Sequence, residues 1–227
     1  MKLDLLSTIK GSALEDFFPA GWDLARMDAL AGRAPKRIGA REVYWSEGYE
    51  PVECESVEDL EVRMGAEIAA QVIETRAEGR QLALILPVGP MGMYRWTIDR
   101  LKEEEISCDH VWGFNMDEWS DAEGNTLAGD APGSFQNAME GAFYDRLGEL
   151  TVPPEQRYFA TREQLEQYPG KIAELRADGA RLVVVYGIGR ALHIAFWEPT
   201  FAAEYESEAE WKAVSYTHLT LPTSDLV

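Results

Sequence analysis

"QLALILPVG", residues 81–89, decides the fold. A short apolar run that closes on a Pro/Gly turn reads as a strand. On its amino side, "SVED" (56–59) resembles a capping box, with Ser56 as N-cap and Asp59 standing where Glu or Gln is usual. Leu60, Met64, Ile68 and Val72 then recur every fourth residue and Gly79 closes the segment, which predicts an amphipathic helix. On the carboxyl side the pattern repeats. "MYRWTIDRLKEEE" (93–105) reads as a helix, and "HVWGFNMDEW" (110–119) as a second strand running into a polar loop. "GSFQNAMEGAFYDRL" (133–147) is a helix with Ser134 as its cap, 162–178 a further helix, and "RLVVVYGIG" (181–189) a strand. Apolar strands alternating with helices imply βαβ units, hence an α/β fold with a parallel sheet covered on both faces.

The remaining sequence sets the bounds. A chain of 227 residues fits one medium domain, or one domain with an appendage. Residues 1–55 carry weak periodicity and many aromatics, among them Phe17, Phe18, Trp22, Tyr44, Trp45 and Tyr49. They are read as an N-terminal extension of short helices with a strand at "REVYW". No apolar stretch approaches the ~20 residues that span a bilayer, and Asp4, Lys10, Glu15 and Asp16 break the start as a secretory signal. Cys54 and Cys108 show no CxxC or metal-type spacing, which suits a reducing cytosol and a cytoplasmic protein. A net charge of −19 argues against a nucleic-acid or anionic-membrane partner. An anionic metabolite must then be held by backbone N–H groups and a few cations.

The last residues, "VSYTHLTLPTSDLV" (214–227), look foreign. Their first ten match the translation of a transposase-type sequencing-library adapter. They are left out of the fold reading as a non-native tail. The native frame is expected to break off near Ala213, leaving the domain, taken as 56–213, incomplete at its C-terminus.

Ligands of parallel α/β sheets bind outside the carboxyl ends of the strands, and three such ends carry suggestive residues. "LPVGPMGMY" (86–94) is a Gly turn opening a helix, where free N–H groups and the helix dipole suit a phosphate. Gly89 and Gly92 permit close backbone approach, although Pro90 has no N–H and the turn holds no Ser or Thr. Taken alone, it reads equally as a tight connection. "FNMDEW" (114–119) places Asp117 and Glu118 where a carboxylate could act as general base, or could simply cap a turn. In "GIGRALHIAFWEP" (187–199), Gly187 and Gly189 turn the chain off its strand; His193 is a natural proton shuttle and Glu198 is placed to orient it. A lone His in apolar sequence is more often a satisfied core residue, and G-x-G alone is weak evidence.

In this order the three motifs resemble those of the glucosamine-6-phosphate deaminase/isomerase family, whose patterns run close to LPTGGTPMTTY, FNMDEY and GVGNDGHIAFNEP. The likeness covers roughly residues 80–200. It implies a Rossmann-like parallel sheet of the deaminase/ribose-5-phosphate isomerase type, a sugar-phosphate substrate, no cofactor, no catalytic metal, and a homo-oligomer at full length. By position, Asp117 would move the C2 proton, His193 would open the pyranose ring, and Glu198 would orient His193. Gly89, Gly92, Gly189 and Arg190 would line the phosphate side. The chain departs from the pattern where Arg190-Ala191-Leu192 replace Asn-Asp-Gly, where Trp197 replaces Asn, and where the phosphate turn is two residues shorter with Val88 for Thr. Arg190 reads equally as a gripping cation or a solvated helix-entry residue. The expected function is acid/base aldose–ketose proton transfer on an amino-sugar phosphate or related sugar phosphate. The alternatives are a non-catalytic sugar-phosphate binder and, behind it, a 6-phosphogluconolactonase-like hydrolase.

Overall fold

Leu82, Leu84 and Leu86 point one way from their strand and Ala83 and Ile85 the other, and both sets are covered. That double burial is what a continuous apolar strand requires. The computed structural model describes residues 52–120 and 123–187. The chain divides into two units, Met1–Ser56 and Val57–Val227, and the elements below belong to the second.

In chain order they begin with α1 (Val57–Ala77), β1 (Leu82–Leu86), α2 (Gly92–Glu103) and β2 (Val111–Asn115). A composite helix follows: α3 (Phe135–Met139), a π-helical turn (Glu140–Tyr144) and α4 (Asp145–Leu147). Then come β3 (Arg157–Tyr158), α5 (Arg162–Leu165), α6 (Tyr168–Ala177) and β4 (Arg181–Val184). The four strands form one sheet in the order β3-β2-β1-β4. Every pairing is parallel, with Leu82 opposite both Val111 and Arg181 and Gly113 opposite Arg157.

Ile68, Ala69 and Val72 of α1, Met93, Tyr94, Ile98 and Leu101 of α2, and Met139, Phe143 and Leu147 of the composite helix pack on the Leu82/Leu84/Leu86 face. Leu175, Ile172 and Tyr168 of α6 cover the other, with Phe114, Trp112, Tyr158 and Leu182. The arrangement follows from handedness. The chain steps outward from β1 to β2 to β3 with its helices on one face. The return to β4, beyond β1, reverses direction, so a right-handed crossover must pass over the opposite face. The α/β architecture, the parallel sheet and its two-sided cover are as the sequence predicts.

Details differ from the sequence reading for local reasons. Leu60 begins the predicted apolar row of α1 but is 38% exposed; the buried seam starts further along, at Gly65 and Ile68. At Gly65 the two helices cross so closely that a Cβ would lie 2.5 Å from the Met93 carbonyl oxygen, and Thr97 Oγ1 donates to the Gly65 carbonyl at 3.1 Å. The helix predicted over 162–178 is two helices, α5 and α6, the second restarting with Pro169 in its first turn, where the missing N–H costs nothing. Two-residue β3 has no apolar run and escapes sequence reading.

At the amino end of the sheet, Arg181 donates to Gln71 Oε1 (2.8 Å), Glu74 Oε2 (2.8 Å) and Glu78 Oε1 (2.7 Å), fastening β4 to α1. His110, just before β2, holds Nε2 3.1 Å from both the Val72 carbonyl oxygen and Thr75 Oγ1.

Candidate active site

The carboxyl ends of β1, β2 and β4 gather the described candidates. Strand order reverses about β1, and such a switch opens a crevice beyond the strand ends. The exits of β1 and β4 meet there: a Cβ on Gly187 would stand 3.0 Å from the Gly89 carbonyl oxygen. Gly89 is joined to Pro90 by a cis peptide bond. Tyr94, fully buried in α2, reaches back and donates its hydroxyl hydrogen bond to the Pro87 carbonyl. The turn is thus tied to the helix that follows it.

Gly92 opens α2, and a Cβ there would run into the carboxylate of Glu61 on α1. A carboxylate beside the first turn of a helix competes electrostatically for the place a phosphate would take. The turn from Pro87 to Met91 supplies no hydroxyl and no cation. Its capacity to grip a phosphate rests on backbone N–H groups alone.

Beyond β2 the two neighbouring carboxylates have different work. Glu118 is 7% exposed and accepts four hydrogen bonds. Its Oε1 receives the Trp119 and Phe135 amides, each at 2.9 Å. Its Oε2 receives Ser134 Oγ (2.8 Å) and the Gln136 amide (2.9 Å). Glu118 therefore caps the start of α3, where orphan N–H groups and the helix dipole favour an anion. Ser134 Oγ also accepts from the Asn137 amide at 3.2 Å, the cap expected from sequence. Of the pair in "FNMDEW", Glu118 is the capping group.

Asp117 is 6% exposed. The backbone before it is held at Met116, whose amide donates to the Leu86 carbonyl at 2.9 Å, and at Asn115, whose carbonyl accepts from the Tyr168 hydroxyl at 2.9 Å. Burial, the neighbouring Tyr144 and the Asp117 charge push the Tyr94 and Tyr168 hydroxyls well above the usual phenol range. Both stay protonated donors.

Gly189, Arg190, His193 and Glu198 lie outside the described residues, as do the N-terminal extension up to residue 51 and the adapter-like tail. Sequence reasoning missed the roles of Glu61 and Tyr168, whose partners are distant in sequence, and of Tyr94, which reaches back seven residues to Pro87. Among the described residues no three His, Cys, Asp or Glu side chains gather as a metal site. Among them, too, no helix is long and apolar enough to cross a membrane. Cys54 and Cys108 are free thiols.

No family model matches the chain. Curated relatives do. A glucosamine-6-phosphate deaminase of Borrelia garinii subsp. bavariensis is 32% identical over 144 residues, covering 60% of this chain and 51% of that protein. One from Caenorhabditis elegans is 32% identical over 147 residues, covering 59% and 51%. Over the matched residues the chain is similar to glucosamine-6-phosphate deaminases. It spans about half the length of the curated relatives it matches. Among solved structures, a monomeric glucosamine-6-phosphate deaminase described as a missing link of the NagB superfamily superposes with a TM-score of 0.52. It is 21% identical and 72% of each chain is covered, so that likeness speaks for the deaminase fold alone.

Proposed function

We propose that the protein is a sugar-phosphate enzyme of the deaminase type, with Asp117 as its proton-transfer base. The observation that carries this reading is a buried carboxylate just past β2, at the strand ends where the exits of β1 and β4 meet. A carboxylate held by a pinned backbone and sheltered from water is suited to moving a proton at a carbon next to a carbonyl. Asp117 would take the C2 proton of the ring-opened amino sugar and return it to C1 through an enolamine, giving a C2 imine that water hydrolyses to a ketone with release of ammonia. His193 would open the ring, with Glu198 orienting its imidazole. The β1–α2 turn is poor in phosphate ligands and Glu61 abuts it, so Gly89, Gly92 and Gly189 would supply only backbone contact. Arg190 would then supply the cation that holds the phosphate.

The test is ammonia release from glucosamine-6-phosphate by the full chain. Turnover that drops by about 10²–10⁴-fold in Asp117→Asn supports the assignment. Ligand binding without turnover, unchanged by Asp117→Asn, would replace it with a sugar-phosphate-binding protein.

A further inference from the structure

Two tyrosines reach the strand ends beside Asp117 from opposite faces of the sheet. From the α2 face, the Tyr94 hydroxyl donates to the Pro87 carbonyl just past β1. From the α6 face, the Tyr168 hydroxyl donates to the Asn115 carbonyl at the last residue of β2, at 2.9 Å. Asn115 is tied to this junction a second time, since its Nδ2 donates to the Tyr158 carbonyl at 3.3 Å. On the far side of Asp117, Glu118 is fixed by its four donors. Asp117 thus sits between two anchored points, Asn115 and Glu118, three residues apart, on a span too short to rearrange by itself.

Resting on the function proposed above, we propose that Tyr168 is a positioning residue, whose hydroxyl fixes the end of β2 and thereby the Asp117 carboxylate. The ring needs no hydroxyl for its packing. It meets Phe114 edge-on at 5.2 Å between centroids and Tyr158 at 6.0 Å, contacts that phenylalanine would keep. The hydroxyl is therefore the separable part of the side chain. It is kept protonated by burial first, then by the nearby Tyr144 and the Asp117 charge, so it donates across the whole working pH range. Tyr94 plays the same part for the neighbouring strand, which carries the Met116 amide through the Leu86 carbonyl.

The experiment compares the full chain with Tyr168→Phe and, as a control at the other end of the sheet, Thr75→Val. Two readouts are taken: the KM-against-kcat split for ammonia release, and amide hydrogen exchange over residues 115–119. Loss of one buried hydrogen bond corresponds to about three- to tenfold. In Tyr168→Phe, kcat is expected to fall by about that factor with KM within about twofold, and exchange at Met116 and Asp117 to quicken similarly. Thr75→Val is expected to leave both unchanged. Unchanged exchange at 115–119 in Tyr168→Phe overturns the proposal, as does quickened exchange with kcat intact. If the wild-type chain releases no ammonia, the deaminase reading fails by itself, and the exchange data alone decide whether Tyr168 fixes the strand end.

Discussion

Removing the carboxylate of Glu118 tests the division of labour in "FNMDEW" most directly. Its two oxygens accept from Trp119, Phe135, Gln136 and Ser134 at 2.8–2.9 Å. In Glu118→Ala three backbone amides and a hydroxyl lose their acceptor in a site only 7% exposed. Each charge-assisted bond is worth about 1.5–3 kcal/mol, but the losses are not additive, because water enters the space and Ser134 can rotate. A loss of about 3–5 kcal/mol is expected, a large part of the ~5–15 kcal/mol that holds a domain together. Glu118→Gln is the sharper variant. Its single carbonyl oxygen can keep Trp119 and Phe135, and its amide can donate to Ser134 Oγ. The Gln136 amide then faces another donor. About 2–3 kcal/mol should be lost through one orphaned donor and the missing charge. Urea denaturation of the full chain, with midpoint and slope compared, measures both. A Gln variant within about 0.5 kcal/mol of wild type would refute the reasoning, because four donors converging on two carboxylate oxygens could not then be what holds the start of α3.

Further outcomes follow from other sites. Gly113 lies mid-strand in β2, where a Cβ would run into the Tyr144 hydroxyl, so Gly113→Ala should cost about 1–3 kcal/mol, read by thermal melting. His110 is held below its usual pKa, chiefly by burial. Protons then bind the unfolded chain more readily, and the contribution present above pH ~6.5 should fade as pH drops toward the lowered value. The urea midpoint of the wild type should fall with pH across that window more steeply than that of His110→Gln; equal pH slopes would remove His110 as the cause. Burial raises the Cys108 thiol to about 12, so it should resist alkylation at pH 8 until the chain unfolds, as mass spectrometry would record. Glu61→Gln should strengthen binding of inorganic phosphate severalfold at low salt, and equal binding by calorimetry would remove Glu61 as a competitor at α2.

What could be read from sequence tracks how local each cause is. "LALIL" announces a strand because five adjacent residues each need burial, and Ser134 announces a cap because its partner is three residues on. Asp117 could be singled out since a strand end is a sequence landmark in an α/β chain. Its distinction from Glu118 could not, because the capping partners of Glu118 lie 16–18 residues away except for Trp119. Tyr168 is harder still: it sits 53 residues from the carbonyl it holds, and its neighbours "QYPGK" read only as part of the helix predicted over 162–178. β3 escaped because two paired residues leave no pattern to detect.

The Arg181 fan has a kinetic meaning as well as a static one. Its acceptors on α1 and just past its end precede it by 103–110 residues, and β4 pairs only with β1 among the described strands. Closing so long a loop costs chain entropy before any contact repays it. The β1–β2 hairpin-free unit, with α2 between, can form from nearby sequence, whereas β4 must wait for that platform. The junction where the exits of β1 and β4 meet is then the last part of the described sheet to be assembled. Among the described strands, folding would then run from the β1–β2 scaffold outward to the β4 edge.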